Sequence, residues 1–324
     1  MDRRTVLTGA PALVFTTLAA HSGAAAAPAY PDRPVKIVVP YPPGNTSDTY
    51  ARRFGDRFGA MLGQPFVVEN RGGAGGNIGS AGVARATPDG YTLLWGTNAT
   101  HAGNEFLYPN LGYDPGKDFE PVAGIISFGM AMAVGRESRF MSLGDVIAAA
   151  KAEPGRINVG VPSNTSRVIL QMLREKANVE ATVVPYAGSS QALIGLLRGD
   201  VAAVIDTVSL LMGPIQGAQA RALAITTEAR SPSLPDVPTF REGGVDVVLE
   251  AWLALFAPRD TPSDVIATLN RSVATVLTEA PIQANLRQDG ASALGGPPNA
   301  LAALMRKDRA IWGPIARTLG LMAQ

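Results

Sequence analysis

Apolar residues along this chain follow two alternating periods. Short β-branched runs such as 35–39 and 66–69 are typical of buried strands. Each run leads into a stretch with the periodicity of an amphipathic helix, and in the first such stretch four apolar residues share one face: Ala51, Phe54, Phe58 and Leu62. Three successive strand-to-helix junctions predict parallel strands, with a ligand crevice at their carboxyl ends.

The alternation is interrupted and then resumes, which predicts two domains. Residues 102–120 look irregular, two strand-like runs follow, and a new series of helices and strands begins at Leu143. A late apolar run at 249–257 reads as a strand that returns to the first domain. We expect domain 1 to comprise 27–128 and 249–324, and domain 2 to comprise 129–248. The chain after Thr261-Pro262 is predicted to be helical through about Leu319.

The first 26 residues predict an export signal. A charged start is followed by an apolar stretch to about Ala20 and by small residues that suit cleavage near Ala26 or Ala27. The pair Arg3 and Arg4 favours the twin-arginine route, although it is also compatible with ordinary secretion. The chain has no cysteine and therefore no lipid-anchoring one, so we expect a free protein in the periplasm.

Composition argues against several classes of function. The signal would take two of the 28 basic and one of the 27 acidic residues, which leaves a formally neutral chain and disfavours nucleic-acid binding. His101 is then the only histidine, and its position at a predicted helix start suits a cap or a surface residue. The glycines at 73–79 lack the third position of a dinucleotide fingerprint. We expect no enzymatic activity, no metal and no cofactor.

The turn after the first strand is the strongest candidate site. Prolines at 40–43 end the strand, because proline lacks the N–H that a strand ladder needs. Gly44 and Asn45 tolerate positive φ, and Ser47 or Asp48 is expected to cap the next helix. Free backbone N–H groups at a helix start favour an anion. Any αβ protein also contains such junctions, so the turn alone does not establish a site.

A second candidate lies at a helix start in the predicted domain 2. Ser163, Thr165 and Ser166 supply more hydroxyl groups than one helix cap requires, and this excess favours ligand contact. Arg167 follows directly; it is either a solvated surface charge or a group that reaches a carboxylate in the cleft.

Several motifs together resemble the Bug family, the periplasmic substrate-binding proteins of tripartite tricarboxylate transporters. They are Tyr-Pro-Pro-Gly-Asn-Thr-Ser-Asp at 41–48, Glu-Asn-Arg-Gly-Gly-Ala-Gly-Gly-Asn-Ile-Gly at 69–79, Pro-Tyr-Ala-Gly at 185–188, and Ala-Leu-Ala-Ile-Thr at 222–226 before the segment 230–239. The resemblance covers nearly the whole mature chain.

This resemblance implies a two-domain, type II Venus-flytrap fold, with a mixed sheet flanked by helices in each domain. It implies a monomer that closes over a small organic acid and delivers it to integral-membrane permease subunits. The loops at 41–48 and 72–77 are expected to grip one carboxylate, while the loop at 163–166 influences ligand choice. The expected ligand-binding residues are Tyr41, Pro42, Gly44, Asn45, Thr46, Asp48, Gly73, Ala74, Gly75, Asn77, Thr97, Ser163, Thr165, Ser166, Arg167, Tyr186 and Asp206.

The chain departs from the family pattern mostly in domain 2. Asn45 replaces a usual glycine, Thr165 a common glycine, Ile169 a common histidine, Gln191 a frequent proline and Gly195 a frequent aspartate. If Thr165 and Ile169 face the ligand, the pocket has a hydroxyl rim and an apolar floor. That arrangement predicts a compact or apolar-bodied acid rather than citrate. In the alternative, Ile169 faces the core and Thr165 only caps its helix.

The sequence is compatible with two other functions. The same fold could present its liganded form to a membrane histidine kinase as a sensor, and nothing in the sequence separates sensing from transport. A periplasmic α/β enzyme is the remaining alternative, which the lone histidine and the absent cysteine disfavour.

Overall fold

The computed structural model describes residues 30–318. The predicted export signal at 1–26 lies outside the described residues. The strands are β1 Val35–Val39, β2 Phe66–Asn70, β3 Thr92–Thr97, β4 Phe119–Phe128, β5 Met130–Gly135, β6 Asn158–Val161, β7 Thr182–Pro185, β8 Ala203–Thr207, β9 Ala220–Ile225, β10 Ala251–Pro258 and β11 Ala291–Gly295. The α-helices are α1 Thr46–Leu62, α2 Asn77–Ala84, α3 Leu143–Ala152, α4 Asn164–Ala177, α5 Ser189–Arg198, α6 Val208–Gln216, α7 Ser263–Thr278, α8 Ala280–Asp289 and α9 Pro298–Thr318.

The strands form two mixed sheets, one in each domain. The first sheet has the order β11-β4-β10-β3-β1-β2, in which β1 is parallel to β2 and β3 while β10 runs antiparallel between β3 and β4. The second sheet has the order β7-β6-β8-β5-β9, with β6 parallel to both of its neighbours. The predicted parallel pairing therefore holds in one half of each sheet, and antiparallel strands complete the other half.

The core of the first domain lies between α1 and the first sheet. Phe54 packs edge to face against Trp95 with ring centroids 5.5 Å apart, and both side chains are fully buried. Gly55 allows α1 to lie close to β2, since a Cβ at this position would come within 3.0 Å of the Phe66 carbonyl oxygen. This packing fixes the start of α1 above the carboxyl end of β1.

The chain crosses between the sheets twice, and one hydroxyl group joins the two crossings. Gly129 separates β4 from β5, and the return runs between β9 and β10. The Thr226 hydroxyl accepts a hydrogen bond from the Met130 N–H at 3.0 Å and donates to the Leu249 carbonyl at 2.7 Å. Because Thr226 is fully buried, this link is shielded from water.

Two predictions from the sequence were wrong. The C-terminal part is not continuously helical: α7 and α8 are separate helices, and β11 then pairs antiparallel with β4. His101 is neither a cap nor a surface residue, because it lies in a π-helical turn, Ala99–Gly103, and is fully buried. Its ring stacks on Phe256 with centroids 3.7 Å apart, and burial lowers the pKa of His101 to about 3. The histidine is therefore a neutral core residue.

Candidate ligand-binding cleft

A cavity lies between the two domains, at the carboxyl ends of the strands. The predicted site residues that line it are Tyr41, Pro42, Asn45, Thr46, Thr97, Ser163, Thr165 and Asp206. Those that lie away from its wall are Gly44, Asp48, Gly73, Ala74, Gly75, Asn77, Ser166, Arg167 and Tyr186.

The first-domain wall is built from the start of α1 and the end of β3. Asn45 caps α1, with its Oδ1 accepting from the Asp48 N–H at 2.9 Å. The prediction that Ser47 or Asp48 caps this helix was therefore wrong. The Tyr41 hydroxyl lies 2.8 Å from Thr97 Oγ1, and burial raises the pKa of Tyr41 to about 12. Tyr41 therefore stays a neutral hydrogen-bonding group.

Asp48 holds the loop instead of facing the cavity. Its Oδ2 accepts from the Gly44 N–H at 3.0 Å, and Arg52 Nη2 lies 2.9 Å from its Oδ1. Burial pushes the pKa of Asp48 upward, but the Arg52 and Gly44 contacts outweigh it and leave this pKa below its ordinary value. Gly44, at φ +84°, supplies the backbone conformation that brings its N–H to Asp48.

The glycine-rich turn at 73–76 lies beside the cavity and contacts domain 2. At Gly75, with φ +63°, a Cβ would lie 2.5 Å from both Asn164 Nδ2 and the Tyr108 hydroxyl. Asn104 Nδ2 donates to the Gly75 carbonyl at 2.9 Å and to Asn77 Oδ1 at 2.6 Å. The glycines thus let the two domains approach each other closely.

The second-domain wall begins at the start of α4. Ser163 caps this helix by accepting from the Ser166 N–H at 3.1 Å. Thr165 is buried and lines the cavity, with its hydroxyl 3.4 Å from Asn98 Oδ1 of the first domain. Ile169 is fully buried in the hydrophobic core, so the structure agrees with the alternative in which this residue faces the core, and the pocket-floor alternative is wrong. Arg167 is half-buried and does not reach the cavity.

Tyr186 packs over α5 and does not line the cavity. A Cβ at Gly195 would collide with its hydroxyl oxygen, and a Cβ at Gly160 would lie 3.1 Å from its ring. The glycine that departs from the family pattern at 195 therefore makes room for this tyrosine.

Asp206 lies at the end of β8 and faces the cavity. It is 3% exposed, and its Oδ1 accepts from the Thr207 N–H at 2.7 Å and from the Ser189 hydroxyl at 3.1 Å. Burial raises the pKa of Asp206 to about 6, against the lowering effect of these two donors.

Sequence reasoning missed several lining residues, namely Ser47, Asn98, Phe128, Met130, Pro162, Ala187, Gly188, Ser189, Thr207, Ala251, Trp252 and Leu253. Most of them directly follow a strand or belong to the crossing strands. The residues that directly follow a strand could have been predicted from the rule that ligands bind at the carboxyl ends of strands. The apolar crossing residues carry no sequence signal that separates them from the core.

Hydrogen bonds also connect the domains beside the cavity. Thr46 Oγ1 lies 2.9 Å from both Thr207 Oγ1 and Ser209 Oγ, and Asn164 Nδ2 donates to Asn104 Oδ1 at 2.8 Å. The starts of α1, α4, α5 and α6 therefore converge on one space. α1 and α4 have side-chain caps, whereas α5 and α6 have none.

The cavity lining offers dipoles in place of positive charges. Among its residues, all within the described chain, there is no lysine, arginine or histidine. Converging helix starts present backbone N–H groups and a partial positive charge, which suits an anionic group.

Between residues 30 and 318, no group of acidic or histidine side chains is arranged to hold a metal ion. In that same range, no helix has the length and apolar character required to cross a bilayer.

Comparison with known proteins identifies the family. The tripartite tricarboxylate transporter family receptor (TctC) matches residues 50–321. The chain belongs to this family. A curated relative, a protein from the tcbD-tcbE intergenic region of Pseudomonas sp. (strain P51), is 35% identical over 96% of the receptor and 93% of its own length. Protein BugT of Bordetella pertussis is 30% identical, and the match covers 95% of each chain.

Two solved structures resemble the receptor closely. A protein of R. palustris solved with adipate has a TM-score of 0.87 and 35% identity, and the match covers 90% of the receptor and 98% of that chain. MatC from Rhodopseudomonas palustris, with bound malate, has a TM-score of 0.83 and 32% identity, with 89% and 100% covered. The two-domain fold of the periplasmic binding proteins is thereby confirmed, as is the resemblance to the Bug family.

Proposed function

We propose that this receptor captures a small carboxylated metabolite in the cavity between its domains and delivers it to the permease subunits of a tripartite tricarboxylate transporter. The convergence of four helix starts on one hydroxyl-lined cavity carries the proposal, because their N–H groups are the kind of donor that binds a carboxylate. The adipate and malate found in related structures belong to the same class of ligand.

Several features of the working protein belong to the same proposal. We propose domain bounds of 27–128 with 249–324, and of 129–248. The crossing between Phe128 and Met130 and the contact between Thr226 and Leu249 support these bounds. We also propose that the protein is exported to the periplasm, has no enzymatic activity and is a monomer.

The site residues divide into two proposed roles. Those on the cavity wall contact the ligand, chiefly Thr46, Thr97, Ser163 and Thr165, whose hydroxyls surround the space. The turn at 73–77 and Asp48 act indirectly, by shaping the wall and the contact between domains.

The decisive experiment compares an acid with its amide. A thermal-shift screen of mono- and dicarboxylates first identifies a ligand, and isothermal titration calorimetry then measures that acid and its neutral amide on the same protein. We expect the amide to bind at least about tenfold more weakly, since a hydrogen bond to a charged group contributes about 1.5–3 kcal/mol. Equal affinities for the acid and the amide would rule out the anion site.

A further inference from the structure

The cavity contains one ionisable group that an anion site does not explain. Asp206 is the only aspartate or glutamate among the lining residues of the described chain, and no basic side chain accompanies it. A carboxylate in this position repels an anionic ligand group that comes near it. The ligand therefore has to present something other than a second negative charge on this side.

The hydrogen bonds of Asp206 are incomplete. Oδ1 accepts from the Thr207 N–H and the Ser189 hydroxyl, whereas no described residue donates to Oδ2. Asp206 is almost fully buried as a residue, but Oδ2 is not among the polar atoms that are cut off from solvent, so this oxygen is open towards the cavity. Because the residue lines the cavity, a ligand atom is in position to supply the missing donor.

The rest of the wall indicates what lies between the ligand's two ends. Phe128, Met130, Trp252 and Leu253, from the crossing strands, form an apolar side of the cavity. An aliphatic or aromatic body packs against such a surface. The starts of α1 and α4 then hold a carboxylate at one end, and Asp206, beside the starts of α5 and α6, meets the other end.

We propose that Asp206 selects carboxylic acids whose opposite end carries an N–H or O–H donor, such as an ω-hydroxy or ω-amino acid, over dicarboxylates of equal length. This inference rests on the proposed function, because it presupposes that a carboxylate binds in the cavity. The predicted preference differs from the ligand of the relative solved with adipate, which has a carboxylate at both ends.

The selection depends on pH. Burial raises the pKa of Asp206 to about 6, and no neighbouring charge contributes to this shift. Tyr41, with its pKa raised to about 12 by burial, is the other titratable lining group and stays neutral near pH 7. Above pH 6 the ionised Asp206 accepts from a donor. Below pH 6 it is protonated and donates to a second carboxylate, so acidification weakens donor-bearing ligands and strengthens dicarboxylates.

The test uses straight-chain acids of three to six carbons in four series: alkanoates, ω-hydroxy acids, ω-amino acids and dicarboxylates. Calorimetry on the purified protein at pH 7.5 should show at least one hydroxy or amino acid binding about tenfold tighter than the alkanoate and the dicarboxylate of its length. At pH 5 the preference should shrink. At pH 7.5, where the free Asp206 is ionised, dicarboxylate binding should take up a proton, measured in buffers of different ionisation enthalpy.

Asp206→Asn keeps the shape and the Ser189 contact but removes the charge. We expect the variant to lose the tenfold preference and its pH dependence while still binding dicarboxylates. Asp308→Asn is the matched control, because Asp308 is another buried acid with its pKa raised by burial to about 6, and it lies outside the cavity. Its bond from the Trp252 indole N–H, at 2.7 Å, can be accepted equally by the amide oxygen of the variant, so the cavity wall keeps its support. This control should retain the wild-type preference.

The outcomes distinguish the two proposals. If acids bind but dicarboxylates match or exceed the donor-bearing ligands at pH 7.5, or if Asp206→Asn leaves the ranking unchanged, the role of Asp206 is refuted and the proposed function stands. If no acid binds the wild-type protein, the proposed function fails, and the inference fails with it.

Discussion

Two aspartates near the cleft have opposite environments, although both are buried. Asp48 has a guanidinium partner and a backbone donor, which hold its pKa below the ordinary value. Asp206 has only neutral donors, and burial raises its pKa to about 6. Burial alone therefore does not determine the charge of an acid; the neighbouring charge does. Asp48 stabilises the loop, whereas Asp206 is left to respond to a ligand.

Asp48→Ala should lower the free energy of unfolding by about 1–3 kcal/mol at pH 7, because the Gly44 N–H and Arg52 lose their charged partner. The folded-state pKa of Asp48 lies below the model-peptide value of 3.8, so this stabilisation is fully present above pH 3.8 and is lost as pH falls through the folded-state pKa. Urea denaturation of both proteins at several pH values measures the difference.

Asp56→Ala provides the control for this prediction, because Asp56 is exposed on the same helix. It should change the unfolding free energy by less than about 0.5 kcal/mol. A loss for Asp48→Ala that stays constant down to the most acidic conditions would contradict the ion-pair explanation.

At the scale of helices and strands, the local sequence pattern predicted which elements exist better than it predicted where they begin and end. The β-branched run of β1 and the one-sided helix α1 were confirmed because each has a clear period and a proline or glycine limit. β11 was missed because Ala291–Gly295 contains small residues with weak strand preference, and its pairing with β4 comes from tertiary contact. The burial of His101 could not be predicted from local pattern either, since Phe256, on which its ring stacks, is distant in the sequence.

The same limit applies to the candidate site. The loop at 41–48 was identified because prolines, glycine and polar residues follow a strand at a predictable place. The cavity wall that Thr165 shares with the crossing strands depends on how the domains meet, and a single sequence does not encode that in any local pattern. Ile169 illustrates this limit: it lies one helical turn from Thr165 and is buried in the core, and the sequence left both a core and a pocket position open.

Two glycines within helices should respond to alanine with opposite signs. Gly195→Ala in α5 should destabilise the protein by about 1–3 kcal/mol, because the new Cβ collides with the Tyr186 hydroxyl. Gly82→Ala in α2 meets only the end of the Arg71 side chain, at 3.5 Å, and should stabilise it by about 0.5–1 kcal/mol through helix propensity.

Thermal or chemical denaturation of the two glycine variants measures these changes. Equal effects at both positions would show that Tyr186 moves aside without cost. That result would remove the packing explanation for the glycine at 195.

Across the whole molecule, the two domain crossings are joined by one buried side chain. The Thr226 hydroxyl contacts Met130 on one crossing and Leu249 on the other. The inter-domain hydrogen bonds of Thr46 and Asn164 lie on the cleft side. The two domains are therefore held together both at the crossings and at the cleft.

Thr226→Val keeps the side-chain volume but leaves the buried Met130 N–H without an acceptor. We expect a loss of about 1–3 kcal/mol in the free energy of unfolding and a broader spread of domain orientations. Chemical denaturation gives the first quantity and small-angle X-ray scattering the second. Thr226→Ser retains the hydroxyl and should lose less than the valine variant; an equal loss for both would point to methyl packing instead.

The absence of lysine and arginine from the cavity wall within residues 30–318 also has a kinetic consequence. Helix N–H groups and hydroxyls act over a short range, so an approaching anion feels little long-range attraction from this wall. The ligand's association rate constant should therefore vary by less than about threefold between 10 mM and 500 mM salt, as stopped-flow fluorescence can measure. A steep fall with ionic strength would indicate steering by charges elsewhere on the receptor surface.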